Sequence, residues 1–148
     1  MECCLTEHIS VSPEETEALG ERIACAVRSG TVIALKGGLG AGKTCLVKGI
    51  ARGLGITEPV TSPTYTIVSE YTAHDSVPLY HIDAYRLNGD ADFDNIGAGE
   101  LIGGAGIAII EWSERIPHSI PPDAITIEIT ITGPHSRLFR MYNEPACH

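Results

Sequence analysis

Within LKGGLGAGKTC, residues 35–45, Gly37 is followed after four residues by Gly42, Lys43 and Thr44. This is the G-x-x-x-x-G-K-[ST] spacing, and each residue type in it has a chemical reason. A glycine-rich loop lets backbone N–H groups converge on phosphate oxygens, the work open to Gly38, Leu39, Gly40, Ala41 and Gly42. A helix opening directly after the loop adds the positive end of its dipole and its first N–H groups. Lys43 is long enough to reach β- and γ-phosphates, and the Thr44 hydroxyl can fill one position on magnesium.

Magnesium then needs a carboxylate at the end of a neighbouring strand, and two are available. Glu111 closes the apolar run IAIIE, and Asp83 lies in YHIDAYR, on the expected strand face of His81 and Tyr85. We assign Glu111 to magnesium, directly or through water, and Asp83 to orienting or deprotonating the attacking water. On sequence grounds the two roles can be exchanged, and the alternative for either residue is a strand-end charge facing water. TSPTYT, residues 61–66, has the make-up of a switch loop in which Thr64 or Thr66 senses a γ-phosphate. The alternative is a hydroxyl-rich loop that satisfies its own backbone. Arg86 and Arg115 read either as phosphate or partner contacts or as members of surface salt bridges. His81 reads as packed or hydrogen-bonded, since no second ligand stands at metal spacing. Trp112, the sole tryptophan, suits stacking on a base or a partner, or a part-buried place in the core.

These residues need elements to hold them. TVIAL, residues 31–35, is a continuous β-branched run of the kind buried on both faces in a parallel sheet. After the glycine loop, Leu46, Val47, Ile50, Ala51 and Leu54 recur at helical spacing until Gly53 and Gly55. Strand, glycine loop and helix in that order are the context the phosphate-loop motif requires. Upstream, residues 3–10 read as a short strand. A helix follows with Ser12 as N-cap, Pro13 in its first turn and Glu15 completing a capping box. Leu19, Ile23 and Val27 give it one apolar face, and Ser29 and Gly30 are expected to end it. Downstream, YTIVSEY and PLYHIDAYRL read as an antiparallel pair joined by TAHDSV. The glycine-rich, acidic stretch 88–106 has room for one short helix, residues 106–112 form another buried strand, and AITIEITIT with RLFRMY forms a hairpin around Thr132-Gly133-Pro134.

The chain has 148 residues, 43% of them hydrophobic and 20% charged, which fits one globular domain spanning 1–148. A net charge of −9 argues against a protein that grips nucleic acid by itself, because counterion release needs a basic face. The five cysteines show no C-x-x-C spacing and read as free thiols in a reducing compartment. No segment has the roughly 18 apolar residues of a membrane span. The N-terminus lacks the pattern of a signal peptide, so a cytoplasmic protein is expected.

GGLGAGKT, VTSPTYTIVSEY, PLYHIDAYRL and IIEW occur in the order and approximate spacing of the TsaE family, which this chain resembles from about residue 12 to residue 132. These are small bacterial ATPases of tRNA threonylcarbamoyladenosine (t6A) synthesis. The resemblance implies an α/β fold, a P-loop NTPase-like three-layer sandwich with a mixed, mostly parallel central sheet. It implies ATP and Mg2+ as cofactors and slow ATP hydrolysis. It implies action with the TsaD–TsaB pair, which transfers threonylcarbamoyl to adenosine 37 of tRNA, with tRNA met at most through that complex. By the family pattern Lys43 and Thr44 hold phosphate and magnesium, Glu111 is the magnesium glutamate, Asp83 the important aspartate and Trp112 the adjoining tryptophan. The LTEHIS region and the C-terminal hairpin would border the adenine. Cys45 departs from the family, which commonly has a second threonine after the lysine, and DADFDNIGAGELIGG is richer in glycine than the family pattern.

Two other readings use the same loop. A small-molecule kinase would usually carry several arginines in a lid over the phosphates, and this chain has no arginine cluster in one loop. A binding module switched by ATP without hydrolysing it differs from the main reading chiefly in rate.

Overall fold

The structure is a computed structural model that describes residues 5–37, 42–60 and 68–143. The apolar, β-branched runs become the strands of one seven-stranded sheet. They are β1 (Leu5–Ser10), β2 (Val32–Lys36), β3 (Val68–Thr72), β4 (Pro78–Asp83), β5 (Ile107–Glu111), β6 (Ile125–Ile131) and β7 (Arg137–Tyr142). The order across the sheet is β1-β7-β6-β2-β5-β4-β3. The middle is parallel, through β6–β2, β2–β5 and β5–β4, and the flanking pairs β1–β7, β7–β6 and β4–β3 are antiparallel. The expected fold, a mixed α/β sandwich with a mostly parallel centre, is the one observed. The two runs without polar alternation, β2 and β5, lie side by side at that centre, buried on both faces.

Helices α1 (Pro13–Ala24) and α2 (Lys43–Gly53) cover one face, against Ile33, Leu35, Leu79, Ile109 and Ile127. The short α3 (Asp90–Asn95) and neighbouring turns cover part of the other, where Phe93 and Ile116 pack against Val32, Ile82 and Ile110. Together they make the three layers. Helix α1 begins as its sequence requires: Ser12 Oγ accepts from Glu15 N at 3.1 Å, and Glu15 Oε1 accepts from Val11 N at 3.1 Å. Helices α1 and α2 meet through glycines. A Cβ added at Gly20 would stand 2.5 Å from the Leu46 carbonyl oxygen, and one at Gly49 would overlap the backbone of Glu17.

Four expectations need correction. Helix α1 stops at Ala24 and does not run to Ser29–Gly30. Ala26 N and Val27 N donate to Ile23 O and Ala24 O, so the chain leaves in tight three-residue steps. Val27 still packs on the core from that turn, which is why the apolar spacing outlasted the helix. Strand β4 ends at Asp83. The Asp83 carboxylate accepts from Tyr85 N at 3.0 Å and Ala84 N donates to Glu111 O, folding residues 84–87 into a turn. Tyr85 therefore does not share a strand face with His81 and Asp83. Strand β5 ends at Glu111, and Trp112 turns left-handed at φ 58°. Cys25, exposed just past the end of α1, is disulfide-bonded, so the reading of all cysteines as free thiols fails there. Cys45 is free. Among the described residues no helix is long and apolar enough to cross a membrane.

Candidate functional site

Three parallel strands end together. Leu35 of β2 is in register with Glu111 of β5, and Glu111 with Asp83 of β4. Side chains alternate along a strand, so Leu79, His81 and Asp83 share one face of β4, the face that carries Leu79 against the two long helices. The tight parallel register thus sets the two candidate carboxylates side by side, at the edge of the layer from which α2 starts. Beyond them Ser113 Oγ donates to Leu35 O at 3.2 Å and ties the chain after β5 back to β2.

Helix α2 opens at Gly42, which holds φ 95° and ψ 16°, a conformation that glycine adopts without a Cβ penalty. With a glycine at its N-cap and no acidic residue in its first turn, the positive end of this helix has no side-chain counter-charge of its own. Lys43 follows, and its side chain folds back over the site. Its Nζ donates to Gly37 O at 2.8 Å and stands 3.9 Å from the centre of the Trp112 ring. Only 6% of the residue is exposed. Burial pulls the Lys43 ammonium below its ordinary value of 10.5, while Glu111, Glu114 and Asp83 act in the opposite direction.

Glu111, 5% exposed, is held by His81 through a 2.5 Å contact between Nε2 and Oε2. Trp112 is part-buried and lies 4.9 Å from Tyr85 with the rings tilted by 51°; Arg115 sits over the other ring of that pair, 5.1 Å from the Tyr85 centre. Lys43, Trp112, Tyr85 and Arg115 therefore form a short stack, two adjoining aromatic rings with a cation at each end. The left-handed turn at Trp112 is what carries its indole back under Lys43.

The structure gathers Lys43, Asp83, Glu111 and Trp112 into one place, with Gly42 and Thr44 at the head of the adjoining helix. Gly38, Leu39, Gly40, Ala41, Thr64 and Thr66 lie outside the described residues. Arg86 is exposed. His81 is buried and hydrogen-bonded, as expected of it. The sequence carries no signal for Ser113, and it places Tyr85 on the strand face of His81, not against Trp112. Nothing in a single serine or tyrosine announces such a role, and only the sharp turns after β4 and β5 bring them in. A cavity of about 120 Å³ lies between the start of α1, the start of α2 and the β6–β7 hairpin, with Ser12, Cys45 and His135 among its walls.

The donor set fits a magnesium ion shared with phosphate. Among the described residues no three His, Cys, Asp or Glu side chains gather as a protein-only metal cage. Magnesium is usually held by one or two carboxylates, with substrate phosphates and water completing its shell.

A strand ending in the glycine motif, a helix springing from it and carboxylates on the neighbouring strand ends define a P-loop α/β protein. The family profile described as "Threonylcarbamoyl adenosine biosynthesis protein TsaE" matches residues 10–139, and the chain belongs to this family. The protein named tRNA threonylcarbamoyladenosine biosynthesis protein TsaE in Treponema pallidum (strain Nichols) is 42% identical over 129 residues, covering 87% of this chain and 94% of that one. Its namesake in Aquifex aeolicus (strain VF5) is 42% identical over 142 residues, covering 95% and 98%. The crystal structure of Bacillus subtilis YdiB superposes with a TM-score of 0.82 at 34% identity, over 97% of this chain and 88% of that chain.

Proposed function

We propose that this protein binds ATP with magnesium, hydrolyses it slowly, and uses that cycle to support the TsaD–TsaB complex in forming t6A at adenosine 37 of tRNA. The observation that carries the nucleotide reading is the placement of Lys43. A buried ammonium is held between a backbone carbonyl and an indole, beside two strand-end carboxylates, at the head of a helix. A buried cation needs compensation, and a triphosphate would supply more of it than one carbonyl does.

When bound, magnesium would supply charge neutralisation on the phosphates. Thr44 and Glu111 would hold it. Lys43 would exchange its bond to Gly37 O for phosphate oxygens. The loop residues 38–42 would present their N–H groups, Thr64 would sense the γ-phosphate and Trp112 would border the nucleotide. Asp83, the more exposed carboxylate, would orient or deprotonate the attacking water. We place this work in the cytoplasm, where tRNA is found, with the acidic chain meeting tRNA at most through its partners.

The test is ATP hydrolysis by the purified protein, alone and with TsaD–TsaB from the same source. Weak activity that rises with the pair and falls by roughly a hundredfold in Lys43→Ala is expected. Asp83→Asn should slow turnover with little effect on ATP binding, whereas Glu111→Gln should raise the magnesium requirement. A rate indifferent to the pair would remove the link to tRNA modification and leave only the nucleotide site. Label transferred from ATP to a metabolite would favour a kinase.

A further inference from the structure

His81 occupies a position in β4 that packing alone would give to an aliphatic residue. Its register partner is Ile109, and Leu79 and Ile109 belong to the same apolar layer under the two long helices. The residue is 0% exposed. Its Nε2 lies 2.5 Å from Glu111 Oε2, and its Nδ1 is buried with no partner among the described residues. Leaving a buried ring nitrogen unpaired costs stability, so the gain must come from the other nitrogen.

An ionised glutamate only accepts hydrogen bonds, so Nε2 carries the proton in this pair. In the neutral ring this leaves Nδ1 a bare acceptor. That is the less costly arrangement, because orphaned buried donors are rarer than under-satisfied acceptors. Resting on the magnesium reading of Glu111, we infer that His81 is a positioning residue for that site. Its Nε2–H anchors Oε2, fixes the rotamer of the carboxylate and leaves Oε1 as the oxygen that meets the ion or its water. Ligating carboxylates are commonly fixed by such outer hydrogen bonds. Here the anchor is supplied from the adjacent parallel strand, so the register between β4 and β5 sets the orientation of the carboxylate.

Two readouts test this. In the metal-free protein, ¹⁵N spectra of the His81 ring should show a protonated Nε2 and a bare Nδ1, and Glu111→Gln should shift the Nε2 signal. His81→Leu should raise the magnesium concentration for half-maximal ATP hydrolysis by about 10–100-fold, with ATP binding in EDTA changed by less than about twofold. His81→Gln, whose amide can donate from near the Nε2 position, should recover most of the loss. A folded His81→Leu protein with unaltered magnesium dependence overturns the inference, as does equal loss in the leucine and glutamine variants. A ring protonated on Nδ1 alone also overturns it, and that result needs neither activity nor a folded variant. Wild-type hydrolysis that ignores magnesium would instead bring down the reading of Glu111, and this inference with it.

Discussion

Lys43 shows how much one side chain can reveal about a site. Its lowered pKa comes first from burial, with three acidic neighbours opposing. The sign follows for stability. The unfolded chain binds the proton more tightly, so burial of the charged form works against folding below the folded-state pKa. That penalty is relieved as pH rises from there towards 10.5. For ligand binding the direction is reversed, because the phosphates need the ammonium. ATP affinity should therefore begin to fall at a pH below the ordinary range of a lysine. Titration of ATP from neutral to alkaline pH, followed by the emission of Trp112, checks this; an affinity constant up to pH 10.5 would refute it. At this scale the sequence was informative where a motif has fixed spacing. Lys43 and Thr44 were legible as candidates because the loop chemistry demands adjacent residues, and Glu111 because it closes an apolar run. The partnership of His81 with Glu111 was not, since the two are 30 residues apart and meet only through strand register.

Among the elements, the packing of α1 on α2 has the least tolerance. Gly20, Gly49 and Gly53 let the two backbones approach, and a methyl at any of them would collide. Helix propensity alone would favour Gly49→Ala, since glycine costs a helix interior about 1 kcal/mol relative to alanine. Steric overlap with the backbone of Glu17 should win. The variant should lose about 1–3 kcal/mol in urea unfolding, the usual range for overpacking. Lys48→Ala, on the exposed side of the same helix, should stay within about 0.5 kcal/mol. A stabilised Gly49→Ala would mean that the helices can move apart freely. The site would feel such a shift, because α2 carries Lys43 at its first position. Element type was readable from periodicity and caps, while element ends were less so. α1 stopped early and β4 turned at Asp83 because local hydrogen bonds outcompeted continuation.

For the whole molecule, one sheet unites both halves of the chain. β2 joins β6 on one side and β5 on the other, so residues from Leu5 to Tyr142 share a single hydrogen-bonded framework. The chain should therefore unfold in one cooperative transition, the same by far-ultraviolet circular dichroism and by Trp112 fluorescence. ATP with magnesium at a hundred times its dissociation constant should add about 2.7 kcal/mol, by mass action on the folded state. Two separated transitions would contradict a single domain. The sequence by itself determined the phosphate loop, the alternation of buried strands and amphipathic helices, and hence the fold class and family. These are written in local spacing, which needs no knowledge of distant contacts. Only the tertiary structure decided that β4 lies beside β5, that Asp83 therefore stands next to Glu111, and that His81 reaches the same carboxylate. It also turned Trp112 under Lys43. Those relations depend on strand order and register, which are set by how the apolar faces of the whole chain close on one another.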